Sequence, residues 1–175
     1  MISIDINNLP KHIKKSDFIS TKMIDKNLDI EFICNSNFKN AKILRRFIEI
    51  ICNKLWFSQR SIARFILIVD ELNNNAIEYW TEKNWKNIVR LKTYDNINSI
   101  DVMIEIEDTW KWKKPRTALD METLRAHQLK LWYDNHNSIR WRWLFMIIVK
   151  TVDRLYFRDS KTWWLVVWIK KNIVL

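Results

Sequence analysis

Glycine is missing from this chain of 175 residues, and proline and cysteine each occur only twice. The two cysteines, Cys34 and Cys52, have no metal-ligand spacing around them and are too few for a disulfide framework, which favours a protein with reduced thiols. No apolar run approaches the roughly 18 residues of a membrane span. The first five residues lack a basic segment followed by an apolar one, so no signal peptide is expected. We therefore expect a cytoplasmic protein without a membrane partner.

What is present is typical of one folded domain. The chain is 48% apolar and 29% charged, a balance that predicts a globular protein rather than a disordered one. The net charge of +10 invites a nucleic-acid hypothesis. The lysines are scattered, however, and neither an arginine-rich run nor a ladder of stacking aromatics accompanies them. Nucleic-acid binding is therefore disfavoured as the primary role, and a basic face suits an acidic protein partner or a nucleotide equally well.

Tryptophan occurs 11 times, which is close to an ordinary count for glycine in a chain of this length. The positions agree with the count. Trp56 and Trp80 each follow a helical stretch, where a helix favours a residue at positive φ. Trp85 follows Asn84 between a helix and a strand-like run, where Asn-Gly would form an ordinary turn. The pattern predicts glycine at the positions written as tryptophan.

Two explanations of this pattern are open. A genuinely tryptophan-rich protein would use its indoles in a core or as stacking platforms, but the tryptophans gather at the ends of elements rather than on apolar faces. The alternative is a gene whose UGA codons encode glycine and were translated conceptually as tryptophan. The second explanation accounts for the turn chemistry, and the codons at the eleven positions test it.

Hydrophobic periodicity outlines the domain. Residues 1–27 are polar and mixed and predict a loosely attached arm, followed by one domain over residues 28–175. The patterns predict strands at 28–34, 87–93, 100–107, 154–158 and 165–170, helices at 37–54, 58–79 and 144–152, and a polar flap at 109–140 with a short helix near 120–125. Asn35 or Ser36 can cap the first helix and Ser58 the second. This order is typical of an α+β two-layer sandwich, with the helices on one face of a mixed, mainly antiparallel sheet.

Three short motifs occur in order along these elements. Residues 69–76 read Val-Asp-Glu-Leu-Asn-Asn-Asn-Ala and resemble the N box, Glu-x-x-x-Asn-Ala, of the GHKL ATPases. Residues 108–112 resemble the G1 box, Asp-x-Gly-x-Gly, if tryptophan stands for glycine. Residues 140–145 resemble the G2 box before its helix. The resemblance covers about residues 28–171 and is closest to the anti-sigma-factor serine/threonine kinases, which implies a Bergerat-type ATP-binding fold that uses Mg²⁺.

The N box places two functional side chains on one helix. Glu71 and Asn75 are four residues apart, so they project from the same face. By resemblance, Asn75 holds Mg²⁺ through its amide oxygen, and Glu71 orients the attacking hydroxyl or acts as its base. The plain alternative is two solvated polar residues on an amphipathic helix. Asn73 and Asn74 point elsewhere on the helix and are expected at the surface.

The two glycine-type boxes complete the implied nucleotide site. By resemblance, Asp108 accepts a hydrogen bond from the adenine amino group, although a strand-ending aspartate is often only a turn former. Glycine at Trp110 and Trp112 would let the backbone approach the base and sugar. The remaining residues implied at the phosphates, as bare amides at a helix N-terminus or as flanking cations, are Arg140, Trp141, Arg142, Trp143 and Leu144. The alternative for the two arginines is ordinary surface charge.

The resemblance implies a stand-alone kinase of a partner-switching pathway. It would transfer the γ-phosphate of ATP to a serine or threonine of a small antagonist protein, and it would hold a sigma factor when that antagonist is modified. Self-association as a dimer is expected from the same branch. The alternative is a non-catalytic module whose flap closes on nucleotide to switch a protein partner. Loss of phosphate transfer in Glu71→Ala, with ATP binding retained, discriminates the two.

Overall fold

The computed structural model describes residues 1–9, 25–77, 85–107, 117–131, 151–160 and 165–175. Within them the chain forms an α+β fold. The strands are β1 (Ile2–Asp5), β2 (Asp29–Asn35), β3 (Lys86–Asn96), β4 (Ser99–Glu107), β5 (Arg154–Asp159) and β6 (Leu165–Val174). The helices are α1 (Phe38–Lys54), α2 (Gln59–Asn75) and α3 (Ala118–Leu131), and a 3-10 turn covers Ile6–Asn8.

The described strands form one mixed sheet of six strands in the order β1-β2-β3-β4-β6-β5. β1 is parallel to β2, and every other neighbouring pair is antiparallel. The five strands that the sequence predicts are confirmed, each with somewhat different ends. The sheet and its helices are consistent with the predicted two-layer sandwich.

The first strand corrects the prediction for the N-terminus. The sequence predicts a loosely attached arm, whereas Ile2–Asp5 pairs in register with β2 and Ile4 is buried in the core. The Asn7 side chain then fastens the segment to the start of the helix layer. Its Oδ1 accepts hydrogen bonds from the Asn35 backbone N–H at 3.0 Å and from Asn40 Nδ2 at 2.8 Å. The arm prediction is therefore wrong for residues 1–9, and residues 10–24 lie outside the described part.

Short polar side chains set where the two long helices begin. Asn37, one residue after the two predicted caps, is the N-cap of α1, and its Oδ1 accepts from the Asn40 N–H at 3.0 Å. Ser58 is the N-cap of α2, as predicted, and accepts from the Ser61 N–H at 3.2 Å. The two helices are consecutive and contact each other directly, and the ion pair of Arg45 with Asp70 joins them as in an antiparallel helix hairpin.

One face of the sheet carries the core. Alternate residues of each strand are buried there, as in Ile30, Phe32 and Cys34 of β2. Phe32 packs against Phe47 of α1 with ring centroids 5.6 Å apart, and both side chains are fully buried. Loss of either ring would cost about 3–5 kcal/mol of stability. The helix layer is therefore attached to the sheet chiefly by apolar contacts.

The opposite face of the sheet is polar and charged. Arg90, at the centre of this face, contacts Glu31 at 2.9 Å and Glu107 at 2.6 Å. Burial lowers the pKa of Arg90, but the hydrogen bonds and charges of the two glutamates outweigh it and raise the pKa above its ordinary value. Glu105 is shared between Arg90 and Arg158. This network explains why charged residues alternate with apolar ones along β3 and β4.

Part of the predicted flap is a helix. The sequence predicts a short helix near 120–125, and the structure extends it to fourteen residues as α3, begun by the reciprocal bonds of Thr117 and Asp120. Met121 is buried in the core, and Arg125 Nη1 donates to the Leu155 carbonyl of β5 at 3.0 Å. This helix is thus docked on the last-but-one strand. Motion of the flap stays a prediction, as does the helix at 144–152, most of which lies outside the described residues.

Neither cysteine is available for chemistry at the surface. Cys34 and Cys52 are free thiols buried in the core, and burial raises the pKa of each to about 12. A protonated, buried thiol is a poor nucleophile and a poor metal ligand.

In the described part of the chain, no helix is long and apolar enough to cross a membrane.

Candidate functional site

Two of the ten predicted site residues, Glu71 and Asn75, fall within the described structure. Both lie on α2, where the N-box resemblance predicts them. The other eight lie outside the described residues: Asp108, Trp110, Trp112, Arg140, Trp141, Arg142, Trp143 and Leu144. The site can therefore be built upward only from the last turns of α2 and from the strand ends nearest to them.

Contacts place α2 beside β4 and β6 of the sheet. Its N-terminal half, at Phe65 and Ile68, lines a small cavity together with Ile173 of β6. Ile173 pairs with Ile100 at the start of β4, and α2 contacts β4. From Phe65 to Asn75 the helix advances by about 15 Å. The N-box residues therefore lie up to about 15 Å along α2 from the cavity that Phe65 and Ile173 line.

Glu71 and Asn75 are four residues apart on α2 and therefore share one of its flanks. Glu71 is half-buried, and it has no hydrogen bond or ion pair within the described part of the chain. Asn75 is buried, at 9% exposure, and its Nδ2 has no hydrogen-bond partner among the described residues. A solvated polar pair would not include a buried amide. Among the described residues, the pair thus leaves a carboxylate and an amide donor on one flank of α2 without a partner.

Asn73 and Asn74 differ from the sequence prediction. They are expected at the surface, but Asn73 is 1% exposed and Asn74 is half-buried. Within the described residues, neither amide atom of Asn73 has a hydrogen-bond partner, nor does Oδ1 of Asn74. Each such buried group costs about 1–3 kcal/mol unless water or a ligand satisfies it. The helical spacing of Ile62, Val69, Asn73 and Ala76 is the signal that could have predicted this burial.

The backbone changes its winding directly after the three asparagines. Ala76 and Ile77 form a π turn at the end of α2. Wider turns of this kind are rare and occur frequently at functional sites, because they redirect side chains and free backbone groups from the regular ladder. The end of α2 therefore combines buried, unsatisfied amides with irregular backbone.

An ion pair joins α2 to α1. Arg45 Nη2 of α1 contacts Asp70 Oδ2 at 2.5 Å. Burial raises the pKa of Asp70 above its ordinary value, and the hydrogen bond and charge of Arg45 offset part of that effect. The pair joins the residue before Glu71 to α1, while the buried apolar stripe that includes Phe65, Val69 and Leu72 sets the rotation of α2 about its axis.

Trp56 supports the interpretation of tryptophan as glycine. Its φ is 62°, and it is 80% exposed, so its ring has no packing role. Its N–H donates to the Asn53 carbonyl at 3.2 Å, and the Phe57 N–H donates to the Cys52 carbonyl at 3.1 Å. These two bonds define a Schellman motif, in which the residue at positive φ is usually glycine.

The other two described tryptophans give no such backbone signal. Trp85 is exposed at the start of β3, and its carbonyl accepts from the Ser36 N–H at 2.7 Å. Trp168 lies in the middle of β6 and stacks on Tyr156 with ring centroids 4.3 Å apart. An indole fits at both positions. Among the described residues, Trp56 alone has a positive φ, so it alone requires glycine on conformational grounds.

Trp56→Gly is expected to stabilise the protein by about 1 kcal/mol. An L-residue in the left-handed region costs roughly 1–2 kcal/mol, and the greater freedom of glycine in the unfolded chain offsets part of the gain. Urea unfolding of the two chains measures the difference. Trp168→Gly is the matched control and should be destabilising, because it removes the stack on Tyr156 and places glycine within a strand. A loss of stability in Trp56→Gly would contradict the assignment of glycine to this position.

Neither the side chains nor the comparisons add a second site. Within the described residues, no group of three or more His, Cys, Asp or Glu side chains could hold a metal ion. No protein-family model matches the chain, and no curated protein sequence matches it. Within the described residues, the candidate site is therefore the pair Glu71 and Asn75 at the end of α2.

Proposed function

We propose that this protein is a GHKL-type ATP-binding protein that transfers the γ-phosphate of ATP to a serine or threonine of a protein partner. The observation that carries the proposal is the N-box pair itself. Glu71 and Asn75 share one flank of α2, and neither the carboxylate nor the amide nitrogen has a partner in the described structure. Polar groups held in this way, at a cost in stability, are typical of a ligand site.

The architecture supports the same proposal. A Bergerat-type fold places helices against one face of a mixed sheet, and here two antiparallel helices cover the apolar face of a six-stranded mixed sheet. The N-box helix lies beside β4, and β4 ends at the residue before Asp108. The N-box helix and the strand that precedes the G1 box in the sequence are therefore neighbours in space.

The residues present suit Mg-ATP. An amide oxygen is a ligand that Mg²⁺ accepts, and the unsatisfied Nδ2 of Asn75 is a donor for a phosphate or ribose oxygen. Bound Mg²⁺ would neutralise charge that develops on the phosphates. We assign to Asn75 the holding of the metal and the adjacent oxygens, and to Glu71 the orientation of the attacking hydroxyl.

The transfer step follows from these positions. The partner's hydroxyl oxygen forms a bond to the γ-phosphorus, the bond from that phosphorus to the β–γ bridging oxygen breaks, and ADP leaves. The hydroxyl proton passes to the carboxylate of Glu71, which is free to accept it because no cation in the described structure pairs with it.

Asn75→Leu tests the proposal at the level of binding. In the chain that carries glycine at its tryptophan positions, the substitution should weaken Mg-ATP binding by about tenfold or more. An oxygen of ATP would lose the Asn75 amide donor, and Mg²⁺ would lose the Asn75 amide oxygen. Isothermal calorimetry gives the dissociation constant. Stability should not fall, because a buried amide nitrogen without a partner is replaced by an apolar group of similar size.

Asn53→Leu is the control for this experiment. Asn53 is an exposed asparagine at the other end of the helix layer, and its Nδ2 donates only to the Glu49 carbonyl. Its replacement should leave Mg-ATP binding within about twofold of the parent chain. Equal binding by the Asn75→Leu chain and the parent would remove Asn75 from the site and would withdraw the proposal.

A further inference from the structure

A groove with a volume of about 600 Å³ lies at the C-terminal end of α1. We call it the basic groove and define it by Lys26, Arg46, Lys54, Ile50 and Leu55, which line it together with Asp25, Asn53 and Trp56. Because α1 and α2 are antiparallel, this end of α1 adjoins the start of α2. The groove is therefore separated from Glu71 and Asn75 by most of the length of α2, about 20–25 Å.

The cations of the basic groove outnumber its anions and are accessible. Lys54 has no hydrogen bond or ion pair in the part of the chain that the structure describes. Arg46 contacts only Glu49, in an exposed pair three residues apart that contributes little and opens readily. Lys26 reaches Asp95 at 3.8 Å, beyond hydrogen-bond distance.

The one acidic group of the groove is already bound within the chain. Asp25 Oδ1 accepts a hydrogen bond from the Asn27 backbone N–H at 2.6 Å. The net charge of the whole chain is also positive, at +10. The groove therefore favours an acidic occupant over a basic one.

The floor of the groove adds an apolar contribution. Ile50 is half-buried, so an aliphatic side chain of an occupant could cover its exposed part, whereas Leu55 is 1% exposed and belongs to the core. Arg46 and Lys54 are eight residues apart on α1, which separates their backbones by about 12 Å. An extended chain covers that distance in about four residues. The spacing therefore fits a segment with two acidic residues about four positions apart and an aliphatic residue between them.

We propose that the basic groove binds an acidic segment of a protein partner, with carboxylates at Arg46 and Lys54 and an aliphatic side chain over Ile50. Lys26, which also lines the groove, provides a third positive charge. The contact needs no nucleotide, because none of these residues belongs to the Glu71 and Asn75 flank of α2. Failure of ATP binding and failure of this contact are thus separate results.

The test is a charge reversal at the groove. Fluorescence anisotropy measures binding of a labelled extended peptide of repeated Glu-Leu-Ser-Leu units, in which acidic residues recur every four positions. The parent chain, with glycine at its tryptophan positions, should bind this peptide. The double variant Arg46→Glu/Lys54→Glu should bind it at least about tenfold more weakly, because two attractions become two repulsions. A peptide of Lys-Leu-Ser-Leu units should not bind the parent.

Lys39→Glu/Lys42→Glu is the matched control. Both lysines are exposed on α1 outside the groove, so the net charge changes by the same amount. This variant should bind the acidic peptide within about twofold of the parent. Equal weakening in both variants would mean general attraction to a basic protein and would overturn the proposal. Absence of peptide binding by the parent would also overturn it. A dimer of the parent that the groove reversal dissociates would overturn it in favour of a second copy of this chain as the occupant.

Discussion

The chain synthesised with glycine at all eleven tryptophan positions is expected to bind Mg-ATP, and the chain with eleven tryptophans is not. By resemblance, residues 110, 112, 141 and 143 form the cradle for the base, sugar and phosphates. Glycine there lets the backbone approach the ligand and leaves its amides bare, whereas four indoles would fill the same space. The difference in affinity should exceed about a hundredfold, or roughly 2.7 kcal/mol. Calorimetry with both chains measures it.

Two intermediate chains separate folding from ligand access. One carries glycine only at 110, 112, 141 and 143 and should bind Mg-ATP. The other carries glycine only at 56, 85 and 168, the three described tryptophan positions, and should not bind it. Urea unfolding of both chains shows whether each is folded. Binding of Mg-ATP by the chain with eleven tryptophans, at the affinity of the glycine chain, would show that these positions do not line the pocket.

The origin of the eleven tryptophans has its own direct test. If UGA codons specify glycine in the source of this gene, the natural protein has a mass below 21.5 kDa by eleven indole-methylene side chains, each replaced by hydrogen. The eleven codons should then read UGA. UGG codons at most of these positions, together with tryptophan in peptides of the natural protein, would refute recoding. Trp56, at a φ of 62° in a Schellman motif, is the position where the structure makes the strongest case.

Local patterning was enough to predict most of the described elements. The alternation of Ile30, Phe32 and Cys34 on β2 arises from burial of one face, and the same holds for β3 and β4. The caps and apolar spacing of α1 and α2 are equally local. β1 has alternating isoleucines too, at Ile2 and Ile4, but a long polar segment separates it from its partner strand. Its parallel pairing with β2 is a long-range contact that no short window contains.

The candidate site was predicted in part for the same reason. Spacing alone places Glu71 and Asn75 on one flank of α2, and the structure agrees. The residue type of Asn73 predicts exposure, but its position on the helix continues the buried apolar stripe that includes Val69. The ion pair between Arg45 and Asp70 joins two helices and has no signature within either one.

Glu71→Gln is expected to separate kinase chemistry from nucleotide binding. The amide keeps the size and polarity of the side chain but cannot take up the proton of an attacking hydroxyl. Two rates in the glycine chain should each fall by about 10²–10⁴-fold. One is the transfer of radiolabelled γ-phosphate to a peptide library that contains serine and threonine. The other is the slow release of ADP when no acceptor peptide is present. The dissociation constant for Mg-ATP should stay within about twofold. No ion pair within the described structure is lost, so stability should be unchanged.

Glu49→Gln is the matched substitution, because Glu49 is an accessible helical glutamate that contacts only Arg46 on the far side of the helix layer. It should leave both transfer and binding unchanged. The outcomes also separate the two candidate functions. If the glycine chain binds Mg-ATP yet shows neither transfer nor ADP release, and Glu71→Gln changes nothing, the protein is a nucleotide-switched binding module. If transfer is present and survives Glu71→Gln, another group accepts the proton, and the assignment of Glu71 fails while the kinase assignment stands.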